Sequence, residues 1–311
     1  MKKYFIGRIF ALVPTLVGIS VIAFFLGVLS PGDPAEIALS QGGYEPTPEQ
    51  IEKMERELGL DKPYSVQYLN WLGNILKGDL GRSYSNGREI AKEIGRRLPK
   101  TVYLAGHAIF LTYFFGIGLG ILSAWHKDTR LDRMLMMLIN TVLSLPAFWI
   151  GLILILIFSE KLRLLPTSGY GGLRYMILPS ITLSCIAAAT IARMTRAALL
   201  AEFGKSYYIT AVTRGLSKKQ LIINNALPNA IAPILPMIGN FLGGVLGGTV
   251  VVESIFAIPG IGSYAIEAIG AKDHPALQGY VLVTGAIFVA VSLLVDIVGV
   301  WISPKVRLGD E

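Results

Sequence analysis

Residues 101–125 read TVYLAGHAIFLTYFFGIGLGILSAW, a run without Lys, Arg, Asp or Glu and with one His, His107. A bilayer core takes about 20 mostly apolar residues per helix. Uniformly apolar runs longer than about 18 residues read as membrane spans, because buried strands and core helices end sooner. Five further runs of this kind flank it: 9–30, 134–158, 176–200, 230–252 and 280–302. The fourth carries Arg193 and Arg196 in its last part, and the sixth is broken only by Asp296. The reading is an all-α polytopic membrane protein with six transmembrane helices.

Composition agrees with that count. Of 311 residues, 53% are hydrophobic and 16% charged, against about 25% charged in soluble domains. With a mean hydropathy of +0.57, this excludes an ordinary soluble enzyme and a disordered chain. One Cys, Cys185, excludes a disulfide framework and any multi-Cys metal cage. The first run follows Lys2, Lys3 and Arg8 but exceeds the usual signal-peptide core of about 7–15 residues, and PGDP follows it rather than a small-residue cleavage site. It reads as an uncleaved span.

The net charge of +7 could point to nucleic acid, but the positives follow topology instead. With the N-terminus inside, the cytoplasmic segments hold 14 Lys and Arg and the short outer loops hold 4. That asymmetry places both termini in the cytoplasm, with membrane lipid as the surroundings and no nucleic-acid partner. The remaining 10 lie in residues 31–100 with 11 acidic residues, in a loop long enough to cross regardless of charge.

The expected organisation is therefore 1–30 as cytoplasmic N-terminus and first span, and 31–100 as an extracytoplasmic helical insertion. A core at 101–302 holds spans two to six and a cytoplasmic loop, 201–229, and 303–311 forms a cytoplasmic tail. In the insertion, Thr47-Pro-Glu-Gln50 has the form of a capping box with Pro48 at the first helical position. Ile51, Met54 and Leu58 then share a face, and Gly59 closes the helix. Further amphipathic stretches run over 66–76, ending at Gly78, and about 88–96. The insertion is read as a cap packed on the bundle and, compatibly, as a surface that docks a binding protein or shapes a substrate entrance.

Residues 201–229 read AEFGKSYYITAVTRGLSKKQLIINNALPN. Apolar residues interspersed among polar ones suit a helix lying along the membrane, alone or offering knobs to a cytoplasmic partner. Gly215 sits between two short helical patterns, where a sharp reversal needs a positive φ.

Thr210-Ala211, Arg214-Gly215-Leu216 and Leu227-Pro228, the last pair beginning twelve residues after Gly215, resemble the EAA loop of ABC-importer permeases. Ile209, Thr210 and Asn225 stand where that pattern has Glu, Ala and Ile, departures that resemble the dipeptide/oligopeptide/nickel subgroup with its Y-x-x-T-A-x-x-x-G-L. The likeness extends to Pro31-Gly-Asp-Pro34, Leu58–Pro63, Gly78–Ser83, Arg97–Thr101, Glu253–Gly262, Lys272-Asp-His-Pro275 with Gln278-Gly279, and Asp296 followed by Pro304–Arg307. It spans essentially the whole chain.

The resemblance implies an ABC type I importer permease fold forming half of a translocation pathway in the inner (plasma) membrane of a prokaryote. It implies a paralogous second permease subunit, two cytoplasmic ABC ATPase subunits that use the ATP and Mg, and an extracytoplasmic solute-binding protein. Tyr207, Tyr208, Thr210, Ala211, Arg214, Gly215, Leu216, Leu227 and Pro228 would then be the ATPase-coupling residues. Gly215 would permit the turn, Ala211 close approach, and Leu216 would be the apolar knob. Peptide and nickel importers share these stretches, so the substrate is a di- or oligopeptide, or nickel or another chelate. Few His and Cys disfavour direct coordination of bare metal.

Chemistry within the chain is not expected. Gly204-Lys205-Ser206 mimics the end of a phosphate-binding loop, but the required earlier Gly is Leu199. Gly116-Ile-Gly-Leu-Gly120 lies inside a span rather than at a strand–helix junction. His107, His126 and His274 are scattered, with no metal-ligand spacing. The chain is thus read as a transport subunit, not an enzyme, with no catalytic residue, bound metal or cofactor of its own. Gly243, Gly244, Gly247 and Gly248 permit close helix packing or a sliding seam. His107 and Asp296 are intramembrane ionisable groups that pair within the bundle or meet substrate. Met134, Met136 and Met137 read as interface packing. An ion-coupled secondary transporter is the alternative and would show paired broken helices from internal repeats; a scaffold without transport leaves the coupling pattern unexplained.

Overall fold

The computed structural model describes residues 2–29, 32–39, 46–231, 234, 241, 244–245 and 249–302, without the side chains of 2–11, 296 and 298–302. In chain order the helices are α1 (Lys2–Val28), α2 (Pro34–Leu39), α3 (Pro48–Leu58), α4 (Tyr64–Leu76), α5 (Ile90–Trp125), α6 (Arg130–Ser144) and α7 (Ala147–Leu154). There follow α8 (Leu173–Phe203), α9 (Ser206–Thr213), α10 (Lys218–Gln220), α11 (Leu227–Ala230), α12 (Ile261–Gly270) and α13 (His274–Ile302). A π-helix, Ile155–Lys161, continues α7, and a second, Leu221–Ala226, joins α10 to α11. Residues 249–255 are also helical. Among the described residues there is no strand, and the fold is all-α.

Three described helices are long and apolar enough to cross a membrane: α5, α8 and the His274–Val295 part of α13. The Leu12–Val28 part of α1 is a shorter apolar helix. The run at 134–158, read as one span, is instead two helical pieces, Arg130–Ser144 and Ala147–Lys161, bent by 108°. The cause is Pro146, which offers no N–H to continue the ladder. It also pushes Leu145 before it into the extended region, at φ −96° and ψ 139°. Most of the run at 230–252 lies outside the described residues.

The chain divides into two compact units, Met1–Thr101 with Ile258–Ala290, and Val102–Ala257 with Val291–Glu311. In the first, the insertion packs on α1. Tyr68 of α4 hydrogen-bonds Ser20 at 2.8 Å, and Phe24 meets Tyr68 edge-on and Trp71 at a tilt. The amide of Gln278 on α13 donates to the Phe24 carbonyl at 3.1 Å. Helix α3 starts as its sequence implies, the Thr47 N–H donating to Gln50 Oε1 at 2.9 Å, and stops at Gly59 with φ +70°. The stretch at 88–96 is no separate helix: α5 begins at Ile90 and continues into the long apolar run. Ile90 and Ile94 bury against Ile261, Tyr264, Ala268 and Ala276.

In the second unit α5 packs closely on α8. A Cβ added at Gly116 would lie 2.9 Å from Ile191 Cβ, and one at Gly120 would lie 2.5 Å from Thr195 Cβ. The glycine-rich stretch that imitates a nucleotide fingerprint is therefore a helix-packing seam. Asp132 of α6 is buried and takes a bidentate ion pair from Arg196 of α8, Nε to Oδ1 at 2.9 Å and Nη2 to Oδ2 at 2.7 Å. The Ser123 hydroxyl and the Asp128 N–H also donate to Asp132.

Candidate functional site

The long polar segment after α8 folds as helix, reversal, helix. Lys205 is extended, at φ −83° and ψ 148°, and starts α9. Gly215 has φ +74° with no heavy atom within 4 Å of an added Cβ, so backbone conformation, rather than crowding, is what a side chain would violate. Ser217 then caps α10: its N–H donates to Gln220 Oε1 at 3.0 Å, and its Oγ accepts from the Gln220 N–H. This is the reciprocal capping box that launches a helix.

Helix α9 has two faces. Ala211 is buried and Tyr208 half-buried, with Phe203 stacked on Tyr208 at 4.8 Å between centroids. On the other face Ile209 is 54% and Val212 49% exposed, and Leu216 beyond the turn is also exposed. Thr210 and Arg214 are exposed beside them. Under the segment, Ile222, Ala226 and Ala230 form a core with Ala124 of α5 and Leu199 of α8, and Leu227 packs against its edge. Leu227 and Pro228 open α11, the return helix.

A polar cluster sits at the root of α9. Glu202, in the last turn of α8, is 6% exposed. Its carboxylate receives Lys205 Nζ at 2.6 Å and the Tyr207 hydroxyl. That hydroxyl in turn accepts from Asn229 Nδ2 of α11 at 3.2 Å. Partial burial and the hydrogen bond to Glu202 push the Tyr207 phenol up to about 12, so it stays a donor at any physiological pH. Lys205, the lysine of the apparent phosphate loop, is thus held by Glu202. Asn225, at the place where the EAA pattern has Ile, donates through Nδ2 to the Gln220 carbonyl at 3.0 Å, bracing the π-helical turn. Glu202 and Asn229 escaped the sequence reading, which noted Asn225 as a departure from the motif without giving it a role. Only Asn225 carried a signal, as a polar residue in an apolar motif position.

In the first unit, sequence-distant stretches that carry the family likeness meet in pairs. Arg97 makes a two-point ion pair with Glu267, at 3.0 and 2.8 Å, above the Tyr264 ring. Thr101 Oγ1 accepts the Ile261 N–H at 2.9 Å, at the head of α12. Asp273, 2% exposed, is clasped by the 83–85 loop. It accepts from the Ser83 hydroxyl, the Tyr84 N–H at 3.1 Å, both the N–H and hydroxyl of Ser85, and the Ala276 N–H. Burial and the nearby Asp273 carboxylate push the Tyr84 phenol up to about 12.

Of the pathway candidates, the described residues include His107, Gly244 and the backbone of Asp296. His107 is tied to its own helix, Nδ1 lying 2.8 Å from the Tyr103 carbonyl and the ring edge-on to Tyr103. Gly244 is helical, with nothing within 4 Å of an added Cβ. Gly243, Gly247, Gly248 and the side chain of Asp296 lie outside the described residues, as does the 304–307 stretch. Met136 packs near the Ile139, Ala189 and Ala192 cluster, while Met134 and Met137 are exposed.

Comparison with known proteins agrees with this architecture. The profile described as "Binding-protein-dependent transport system inner membrane component" matches residues 116–308, and that of the corresponding N-terminal region matches residues 1–105. A glutathione transport system permease protein of Pectobacterium atrosepticum is 38% identical over 307 residues, covering 99% of each chain. A putative peptide transport system permease protein of Brucella abortus is 35% identical over 315 residues, again covering 99% of both. Among solved structures, an inward-facing methionine ABC transporter, MetNI, superposes with a TM-score of 0.59 at 17% identity. The match covers 68% of this chain and 96% of that one, and carries the fold alone. The chain thus falls with ATP-driven importers rather than ion-coupled carriers: it belongs to the inner-membrane permease components of binding-protein-dependent ABC importers, in their peptide/oligopeptide subgroup.

Proposed function

We propose that this chain provides half of the translocation pathway of an importer of small peptides, and that 201–229 is its grip on a cytoplasmic ATPase. The observation that carries the reading is the exposed apolar patch of Ile209, Val212 and Leu216 on a helix–glycine–helix reversal whose inner face is buried. A lone surface helix needs no capped reversal behind it. A helix seated in a partner's groove does, because the turn fixes which knobs point outward.

In this reading a paralogous permease supplies the other half of the pathway. Two ATPase subunits bind and hydrolyse ATP with Mg, this chain having no nucleotide site. An extracytoplasmic binding protein delivers the peptide above residues 31–100, and both termini are cytoplasmic. The peptide class follows from relatives named for peptide and glutathione transport, glutathione being itself a tripeptide.

Gly215→Val tests the coupling. A β-branched residue at positive φ is disfavoured by about 1–2 kcal/mol, so the reversal deforms. Uptake of labelled glutathione and trialanine, and peptide-stimulated ATPase, are expected to vanish while the subunit still inserts. Normal uptake by the variant would sink the assignment.

A further inference from the structure

We infer that the Tyr207 hydroxyl is a positioning group that locks α9 to the end of α8 and to the return helix α11, so that the three helices move as one piece when the ATPases close. This rests on the coupling reading above and extends it to a particular atom. The hydroxyl is a relay: it donates to the buried Glu202 carboxylate of α8 and accepts from Asn229 of α11. Lys205, on the link between α8 and α9, holds the other carboxylate oxygen. Three helical elements therefore converge on one side chain of the segment that would sit in the ATPase.

The arrangement is mechanically suited to that task. A carboxylate 6% exposed keeps its charge only while paired and hydrogen-bonded. Separating α9 from α8 would take the Tyr207 donor away from the buried Glu202 carboxylate, so the joint resists opening. Around it, the Phe203–Tyr208 stack and the core of Leu199, Ile222, Ala226 and Ala230 supply apolar adhesion. Such contacts hold the elements together but allow them to slide. Directional hydrogen bonds oppose sliding.

The phenol's hydroxyl is removable without removing its ring, which makes Tyr207→Phe the test. The variant is assembled with its partner permease, ATPases and binding protein in proteoliposomes. Spin labels at the exposed positions 213 and 223 report the distance between α9 and the π-helical turn, with and without ATP and vanadate. In the parent the distance distribution stays narrow in both states. In Tyr207→Phe it is expected to broaden at least two-fold when nucleotide is trapped. In parallel, ATP hydrolysed per peptide imported is expected to rise three-fold or more with subunit assembly intact, a change that mere loss of folded protein does not produce. Glu202→Gln, which keeps an acceptor for the phenol, should show a smaller rise. The double variant Tyr207→Phe/Glu202→Gln should be no worse than Tyr207→Phe, because both act through one bond. An unchanged distribution with additive effects overturns the inference. If Gly215→Val blocks coupling while Tyr207→Phe does not, only the joint is wrong; if Gly215→Val also transports normally, the coupling segment itself is wrong.

Discussion

Two buried carboxylates hold tertiary structure together, each across a long sequence gap. Asp273 collects five donors, four of them from residues about 190 positions away. Asp273→Ala removes the acceptor and leaves those donors facing one another. With charged hydrogen bonds worth about 1.5–3 kcal/mol each, a loss of about 3 kcal/mol is expected, read as a thermal-unfolding midpoint lowered by several degrees in detergent. Asp132 and Arg196 pair across 64 positions. Removing either partner of such a pair costs about 3–5 kcal/mol, whereas replacing both with apolar residues is far milder. Asp132→Leu alone should therefore melt well below the Asp132→Leu/Arg196→Met double variant, and equal melting would show that the pair contributes little. Neither pairing was legible in the sequence. Arg196 read as one more inside positive charge, and Asp132 had no spacing that linked it to α8. Ionic partners on different helices share no period, so only the fold brings them together.

At the scale of the element, local backbone signals were readable and interruptions of apolar runs were not. The Thr47 capping box, the stop at Gly59 and the reversal at Gly215 all rest on chemistry within four or five residues, and the structure carries each. The bend between α6 and α7 was missed because apolarity says nothing of a missing N–H. The decisive Pro146 looked like one more residue in a hydrophobic run. The π-helical turns were missed as well, since one extra residue per turn leaves the composition unchanged. The seam between α5 and α8 yields a further prediction. A valine at Gly120 would place its Cβ 2.7 Å from the Ala192 carbonyl oxygen as well as against Thr195. Backbone cannot give way there as a flexible side chain would. Overpacking of this kind costs about 1–3 kcal/mol or more, so Gly120→Val should yield aggregated protein on size-exclusion chromatography. Valine at Gly118, where an added Cβ meets nothing within 4 Å, should elute as the parent does.

For the whole molecule, the charge asymmetry predicts sidedness. In a Cys185→Ser background, a cysteine at Lys53 of α3 should react with a membrane-impermeant maleimide added to intact spheroplasts. One at Lys219 should react only after permeabilisation. Labelling of Lys53→Cys from the cytoplasmic side alone would invert the topology.

Helix α5 has a consequence for how this chain can vary in length. Its 36 residues extend about 54 Å at 1.5 Å per residue, well beyond a hydrocarbon core of about 30 Å. Its part from Val102 onward lies in the second unit, where Gly116 and Gly120 face α8 and Ala124 lies in the core beneath the coupling segment. These three residues are spaced four apart, so they share one face of the helix. Deleting one residue between Gly120 and Ala124 turns one side against the other by about 100°, from 3.6 residues per turn, and carries either the glycines out of their seam or Ala124 out of its core. Between Gly116 and Ala124, α5 must keep its residue count as strictly as a key keeps the spacing of its teeth.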